Sequence, residues 1–321
     1  MKQCRKWTAL LLALGLLCSL AGCGSAQPAQ PQPEEDPIAR TAQWLLEEVP
    51  EPKLGPVGGE WTVLGLVRGE QTLPEGYVEG YYDRLSDAVA EKDGILHEKK
   101  YTEYSRVILA LTAIGKDPRD VAGFDLLQPL ADQEQTVFQG VNGAAYALLA
   151  LDSGNYEIPV LATDGEQASR EGYIAWILEK EAEGGGWGFN GTTADPDITA
   201  MVLQAFAKYR DRDDVAAAVD RAIDWLSRRY IGGALANQSS ESWSQLIVAL
   251  AELGISVEDP RFVADGKTFV DQLMAFRTEE GGFRHTLQEE KANLMATEQA
   301  FYALVAMERM EQGKSSLYSM K

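Results

Sequence analysis

The chain has 321 residues, 45% of them hydrophobic, and a formal net charge of −20. Such a surface repels nucleic acid and anionic lipid head groups, which excludes both as partners. Two histidines (His97, His285) and three cysteines (Cys4, Cys18, Cys23) argue against a histidine metal site, a Ser-His-Asp triad and a disulfide framework.

In chain order, Lys2, Arg5 and Lys6 precede an apolar run over residues 7–20, followed by Leu20-Ala21-Gly22-Cys23. The run is short for a membrane span and reads as a secretory signal. Its ending resembles the lipobox of bacterial lipoproteins, a family in which the signal is cleaved ahead of a cysteine that then carries lipid. The resemblance implies a signal peptide over 1–22, lipid on Cys23 and an extracytoplasmic protein anchored to the bacterial cell membrane. An ordinary signal peptide with a chance cysteine is the alternative. Cleavage removes Cys4, Cys18 and three positive charges, taking the net charge to −23. Residues 23–37 carry Pro, Gln and Ala without apolar periodicity and read as a solvated tether. In an extended form it reaches about 40 Å from the bilayer.

Residues 38–321 read as one domain with almost no strand signal and an internal period. Three copies pair an outer helix with an inner one: 170–182 with 196–209, 215–229 with 241–253, and 267–277 with 294–310. Each pair is joined through Gly185-Gly186, Gly232-Gly233 or Gly281-Gly282, turns spaced 47 and 49 residues apart (185 to 232, 232 to 281). Looser copies pair 41–48 with 61–67, 77–90 with 104–114, and 121–130 with 142–151. The second helix of each pair is apolar over most of its circumference and is expected inside; the first carries charge and is expected outside. The last inner helix is as apolar as the central ones, and only a short polar tail follows it, so it does not read as the polar cap of an open solenoid. The expected fold is all-α: an α6/α6 toroid of six helical hairpins.

The segments GGGWGFNGTTADPDITAMVLQAFAKY, TEYSRVILALTAIGKDP, QGVNGAAYALLALDSGNY and ATEQAFYALVAMER resemble the prenyltransferase and squalene-oxidase repeat. That resemblance covers about residues 39–309. It implies the toroid of terpene cyclases and protein prenyltransferases, also found in cobalamin carriers and complement thioester domains. The architecture hosts unrelated activities, so it does not fix a function.

Asp195-Pro196-Asp197-Ile198-Thr199-Ala200 is similar to the Asp-x-Asp-Asp-Thr-Ala motif of squalene-hopene cyclases. The similarity puts Asp197 at the proton-donating position and Asp195 at the first. Ile198 stands where the third aspartate would support the acid. The same residues also suit helix initiation, with Asp195 as N-cap, Pro196 in the first turn and Asp197 near the positive dipole end. A prenyltransferase zinc site, which uses Asp, Cys and His, lacks its cysteine. Asp164-Gly165-Glu166-Gln167 resembles part of a thioester motif but has Asp164 in place of the cysteine. Related six-hairpin barrels hydrolyse glycosides with two carboxylates, yet acidic residues are too abundant here for a pair to be diagnostic. Glu103 and Arg106 read as a local ion pair, and His285 as a loop residue.

Tyr104, Asn142, Tyr146, Trp187, Phe189, Thr199, Trp243, Thr297, Glu298 and Gln299 sit in Gly turns or at the starts of inner helices. They are the candidate ligand-binding residues; for Trp187 and Phe189 the alternative is that they wedge hairpins together. The expected function is a non-catalytic binding lipoprotein that holds a small molecule in the toroid or offers its rim to a protein. No cofactor is expected. The likeness to cobalamin carriers allows a corrinoid as ligand, although those carriers close over it with a second domain. The alternative is a class II terpene-cyclase-like enzyme acting on a polyprenyl or triterpene chain, with Asp197 as acid.

Overall fold

The computed structural model describes residues 36–189, 191–235 and 238–320. The signal, Cys23 and the tether up to residue 35 lie outside the described residues. From Pro37 onward the chain is one compact unit. It is all-α: among the described residues there are twelve α-helices, four short 3-10 turns and no strand beyond isolated bridges.

Helices of two kinds alternate. The first kind comprises α1 (Pro37–Glu48), α3 (Tyr77–Glu91), α5 (Gln133–Thr136), α7 (Arg170–Glu179), α9 (Asp213–Ile231) and α11 (Phe269–Met274). The second comprises α2 (Glu60–Arg68), α4 (Thr102–Ala113), α6 (Val141–Ser153), α8 (Pro196–Phe206), α10 (Ser240–Glu252) and α12 (Leu294–Glu311). The second kind is buried around most of its circumference; in α4, for example, every residue from Tyr104 to Thr112 is buried. The first kind buries one stripe, as α9 does with Val215, Ala218, Val219, Ala222, Ile223 and Leu226. Several helices start where a polar side chain caps them. Ser169 accepts from Gly172 N, Asp195 from Asp197 N and Ile198 N, Ser239 from Ser242 N, and Asn293 from Ala296 N.

The inner helices pack in succession. α2 contacts α4, α4 contacts α6, α6 contacts α8, α8 contacts α10, α10 contacts α12, and α12 contacts α2. Outer helices pack on the preceding inner one: α7 on α6, α9 on α8, α11 on α10, and α1 on α12. Neighbouring inner helices run parallel, because their N-terminal turns meet each other. Arg106 of α4 donates to Glu60 of α2, Ser242 of α10 to Asp197 of α8, and Thr62 of α2 to Glu298 of α12.

Two Gly turns are built alike. Gly185 (φ +102°) lies against the backbone of Arg221 on α9, and Gly281 (φ +101°) against Arg40 on α1. A side chain at either position would meet those atoms at 2.6 Å, so glycine is required for the approach as well as for its φ. The residue two further on is buried in each case. Trp187 N donates to Thr199 Oγ1, and Phe283 N donates to Thr297 Oγ1.

Three expectations need correction. Residues 121–130 do not form a helix. Val121 and Phe124 pair through two backbone hydrogen bonds around Ala122 and Gly123, both at positive φ. Pro129 then sits in a 3-10 turn over Gln128–Ala131, and the outer helix is only α5. Gly232-Gly233 is not a third copy of the turn: it ends α9, with Gly233 at φ 74°. The tail after α12 is more than polar, since Leu317 and Tyr318 are buried. Arg68 binds it, donating to the carbonyls of Ser315, Ser316, Leu317 and Ser319, and Met320 N donates to Ser153 O at the end of α6.

Candidate functional site

A hydrogen-bond relay joins the tail to the inner-helix N-termini. Tyr318 Oη donates to Gln204 Oε1 of α8, and Gln204 Nε2 to Gln245 Oε1 of α10. Gln245 Nε2 donates to Tyr302 Oη of α12, which donates to Gln299 Oε1. All but Gln299 of these side chains are buried, and the polar groups of the relay satisfy one another. At the C-terminal ends of the inner helices, the tail residues Ser316, Tyr318 and Ser319 help line a depression of about 340 Å³ with Asp152, Gln204 and Glu252.

At the N-terminal ends lies a smaller cavity of about 180 Å³, lined by Trp61, Thr102, Arg106, Gln139, Asn142 and Tyr146. Three inner helices, α2, α4 and α6, converge on it. Trp61 and Tyr146 meet at a centroid separation of 6.1 Å and an angle of 54°, and Trp61 leans on Tyr302 at 5.6 Å. Burial pushes the Tyr146 phenol up to about 12, keeping it neutral. Gln139 Oε1 accepts from both N and Oγ1 of Thr102, which fixes the amide at the cavity mouth. Asn142 Oδ1 is buried without a hydrogen-bond donor.

Arg106 is 5% exposed. Its Nε donates to Glu60 and its Nη2 to Glu103, both at 2.7 Å. The local pair expected from sequence is thus present, but Glu60 from α2 is a second partner. Glu60 is wholly buried and also accepts from Tyr81 Oη and Gly55 N. Desolvation raises its pKa, and Arg106 opposes that rise. Glu298 accepts from Gly58 N and Thr62 Oγ1 through Oε2, while its Oε1 has no partner. Burial lifts its carboxyl to about 7.

The expected ligand-binding residues divide into four groups. Asn142 and Tyr146 line the cavity. Glu298 and Gln299 lie behind it, in contact with Thr62 and Tyr302. Trp187, Thr199, Trp243 and Thr297 lie buried in the core: Trp187 Nε1 donates to Ile177 O, and Trp243 packs against Tyr230 and Phe269. Tyr104 is also buried, its hydroxyl accepting from Leu96 N, and it lines a separate groove of about 550 Å³ with His97, Tyr101 and Phe124. Phe189 is 79% exposed, so it does not wedge hairpins together.

Asp195 caps α8, as helix initiation predicts. Asp197 accepts from Ser242 Oγ, and burial raises its pKa against that bond. Its Oδ1 is buried and unpartnered. His285 is a loop residue, as expected, and its Nδ1 lies 2.8 Å from Glu241 Oε2.

Sequence reasoning missed Trp61, Thr102 and Gln139 and gave Arg106 only a local role. Trp61, Thr102 and Arg106 shared a positional signal, since they fall in the first two turns of inner helices; Gln139 had none, lying in the 3-10 turn ahead of α6.

Exposed apolar side chains concentrate at the same ends. Among the described residues, the large exposed hydrophobics are Val57, Ile95, Phe138, Val160, Phe189, Ile231, Leu287 and Met295. All but Val160 lie where an outer helix leads into an inner one, and every one of those six junctions carries at least one. Phe138 adjoins Gln139 at the cavity mouth, and Phe189 O lies 3.9 Å from where a side chain on Gly140 would begin.

A scan against protein-family models and a search of curated proteins found no match to this chain.

Proposed function

We propose that this protein is an extracytoplasmic binding lipoprotein without catalytic activity, anchored through lipid on Cys23. Its helices close as an α6/α6 toroid, and a partner docks on the face formed by the inner-helix N-termini. The cyclic succession of inner contacts supports closure. The observation that carries the binding reading is the distribution of exposed apolar side chains, seven of eight on one set of junctions. Monomeric proteins scatter such residues singly, and gathering them on one face marks an interaction surface. In such a ring the buried relay fills the axis, which supports the same reading, because a ligand is then met at the rim instead of being enclosed. A cavity of about 180 Å³ lies below the roughly 300–1,000 Å³ usual even for drug-sized ligands, so it does not admit the larger corrinoid.

Photo-crosslinking amino acids placed at Phe138, Phe189 and Val160 in the native host test this. Crosslinked adducts are expected from the first two positions and not from Val160. Equal labelling from all three, or labelling from Val160 alone, sinks the reading.

One observation favours the cyclase alternative: the partly desolvated Asp197 carboxyl, whose raised pKa suits a proton donor. Asp197→Asn is expected to leave the products recovered from incubation with candidate polyprenes unchanged. Loss of a cyclised product in that variant would establish the enzyme instead.

A further inference from the structure

The cavity bounded by Trp61 and Tyr146 has a chemistry more specific than a docking rim requires. It offers two partly exposed aromatic side chains, three uncharged polar ones (Thr102, Gln139, Asn142) and one guanidinium. The guanidinium is already neutralised: carboxylates of Glu60 and Glu103 each hold it at 2.7 Å. An anionic ligand would gain little from Arg106, whose charge those carboxylates already offset. A cationic ligand would lie against Arg106 itself. The cavity therefore selects against net charge of either sign. It still offers hydrogen bonds, through the polar side chains of Thr102, Gln139 and Asn142 that line it.

A group that satisfies this site has to bring donors and acceptors together, carry no charge and present an apolar face to the aromatic rings. Hydroxyls both donate and accept, and the C–H face of a six-membered sugar ring is apolar. The cavity volume equals that of about six water molecules in the liquid, space for one ring and not for several. We propose that this cavity is a subsite for a single uncharged pyranose unit. The proposal rests on the binding reading of this face. The unit reaches the cavity either as a free sugar or as the end of a neutral glycan chain. In the second case, exposed Phe138 and Phe189 flank the chain beyond the first ring.

The test titrates the soluble protein (residues 38–321) with methyl glucosides, mannosides and galactosides and with their neutral trisaccharides. Binding is read by calorimetry and by the Trp61 indole N–H resonance, which Trp61→Phe assigns. At least one neutral sugar is expected to bind and to move that resonance. Asn142→Ala should weaken it at least tenfold with an unchanged melting temperature. The matching uronate and amino sugar should each bind at least tenfold more weakly than the neutral ring. Tighter binding of a trisaccharide than of its methyl glycoside identifies a glycan end as the source, and equal binding identifies the free sugar. No binding of any neutral sugar at millimolar concentration, an unaffected Asn142→Ala, or preference for a charged ring overturns the inference. If crosslinks at Phe138 and Phe189 persist while sugars fail to bind, the docking face survives and only the sugar subsite falls. If sugars bind through Asn142 and crosslinks are absent, the docking face falls instead.

Discussion

Glu298 on α12 and Glu252 on α10 have carboxyls that burial lifts to about 7, well above the ordinary 4.5. Between pH 4.5 and 7 the folded chain therefore holds protons that the unfolded chain releases. Stability contributed by these neutral carboxyls is complete below pH 4.5 and falls as pH rises through that window. Each site costs about 3 kcal/mol by the time both carboxylates are charged. The wild-type melting temperature is accordingly expected to be higher at pH 5 than at pH 8. Glu298→Gln removes the charge and keeps an acceptor for Gly58 N and Thr62 Oγ1. It should melt within a degree or two of wild type at pH 5 and clearly above it at pH 8. Scanning calorimetry at the two values checks this, and an equal destabilisation at both would show that Glu298 is charged in the fold. Neither carboxyl was legible as unusual in the sequence. Glu298 stood out only as a candidate ligand contact at the start of an inner helix, and its burial depends on α2 lying across it.

The paired Gly turns show what a repeat can and cannot announce. Gly185-Gly186-Trp187 and Gly281-Gly282-Phe283 were legible from their paired glycines at regular spacing, and the structure gives them the same hydrogen bonds. Gly232-Gly233 has the glycines without the closing threonine, and there the chain simply ends α9. Thr199 and Thr297 thus distinguish the true copies. Each also donates back to the carbonyl of its aromatic partner. Thr199→Val leaves the buried Trp187 N–H without an acceptor and should cost about 1–3 kcal/mol in urea unfolding. Thr297→Val should cost a similar amount through Phe283. A loss below about 0.5 kcal/mol at both sites would mean that the turns are held by packing alone. Helix positions, alternation and most boundaries followed from apolar periodicity, which is local. The cavity did not, because its residues come from α2, α4, α6 and the short segment after α5. Only the order in which inner helices meet brings them together.

At the scale of the whole molecule, the tail over residues 314–320 ties together helices far apart in sequence. Arg68 at the end of α2 binds four of its carbonyls, Arg309 of α12 donates to Ser315, and Met320 donates to the end of α6. Tyr318 reaches Gln204 of α8, and Ser316, Leu317 and Tyr318 lie against the carboxyl of Glu252 on α10. In the proposed ring, this strap closes the end opposite the docking face and supports the seam where α12 meets α2. Truncation after Gly313 removes the buried Leu317 and Tyr318 side chains and uncovers Glu252. Loss of large buried side chains of this kind costs about 2–5 kcal/mol each. The truncated chain should therefore unfold at clearly lower urea concentration. Amide exchange should then rise in α2 and α12 together, because in a closed ring each supports the other. An open stack would place those helices at opposite ends and leave their exchange independent. If truncation quickens exchange in α12 alone, the seam does not exist and the ring reading fails. If both helices quicken while α4 and α6 remain protected, the ring opens first at the seam the strap supports.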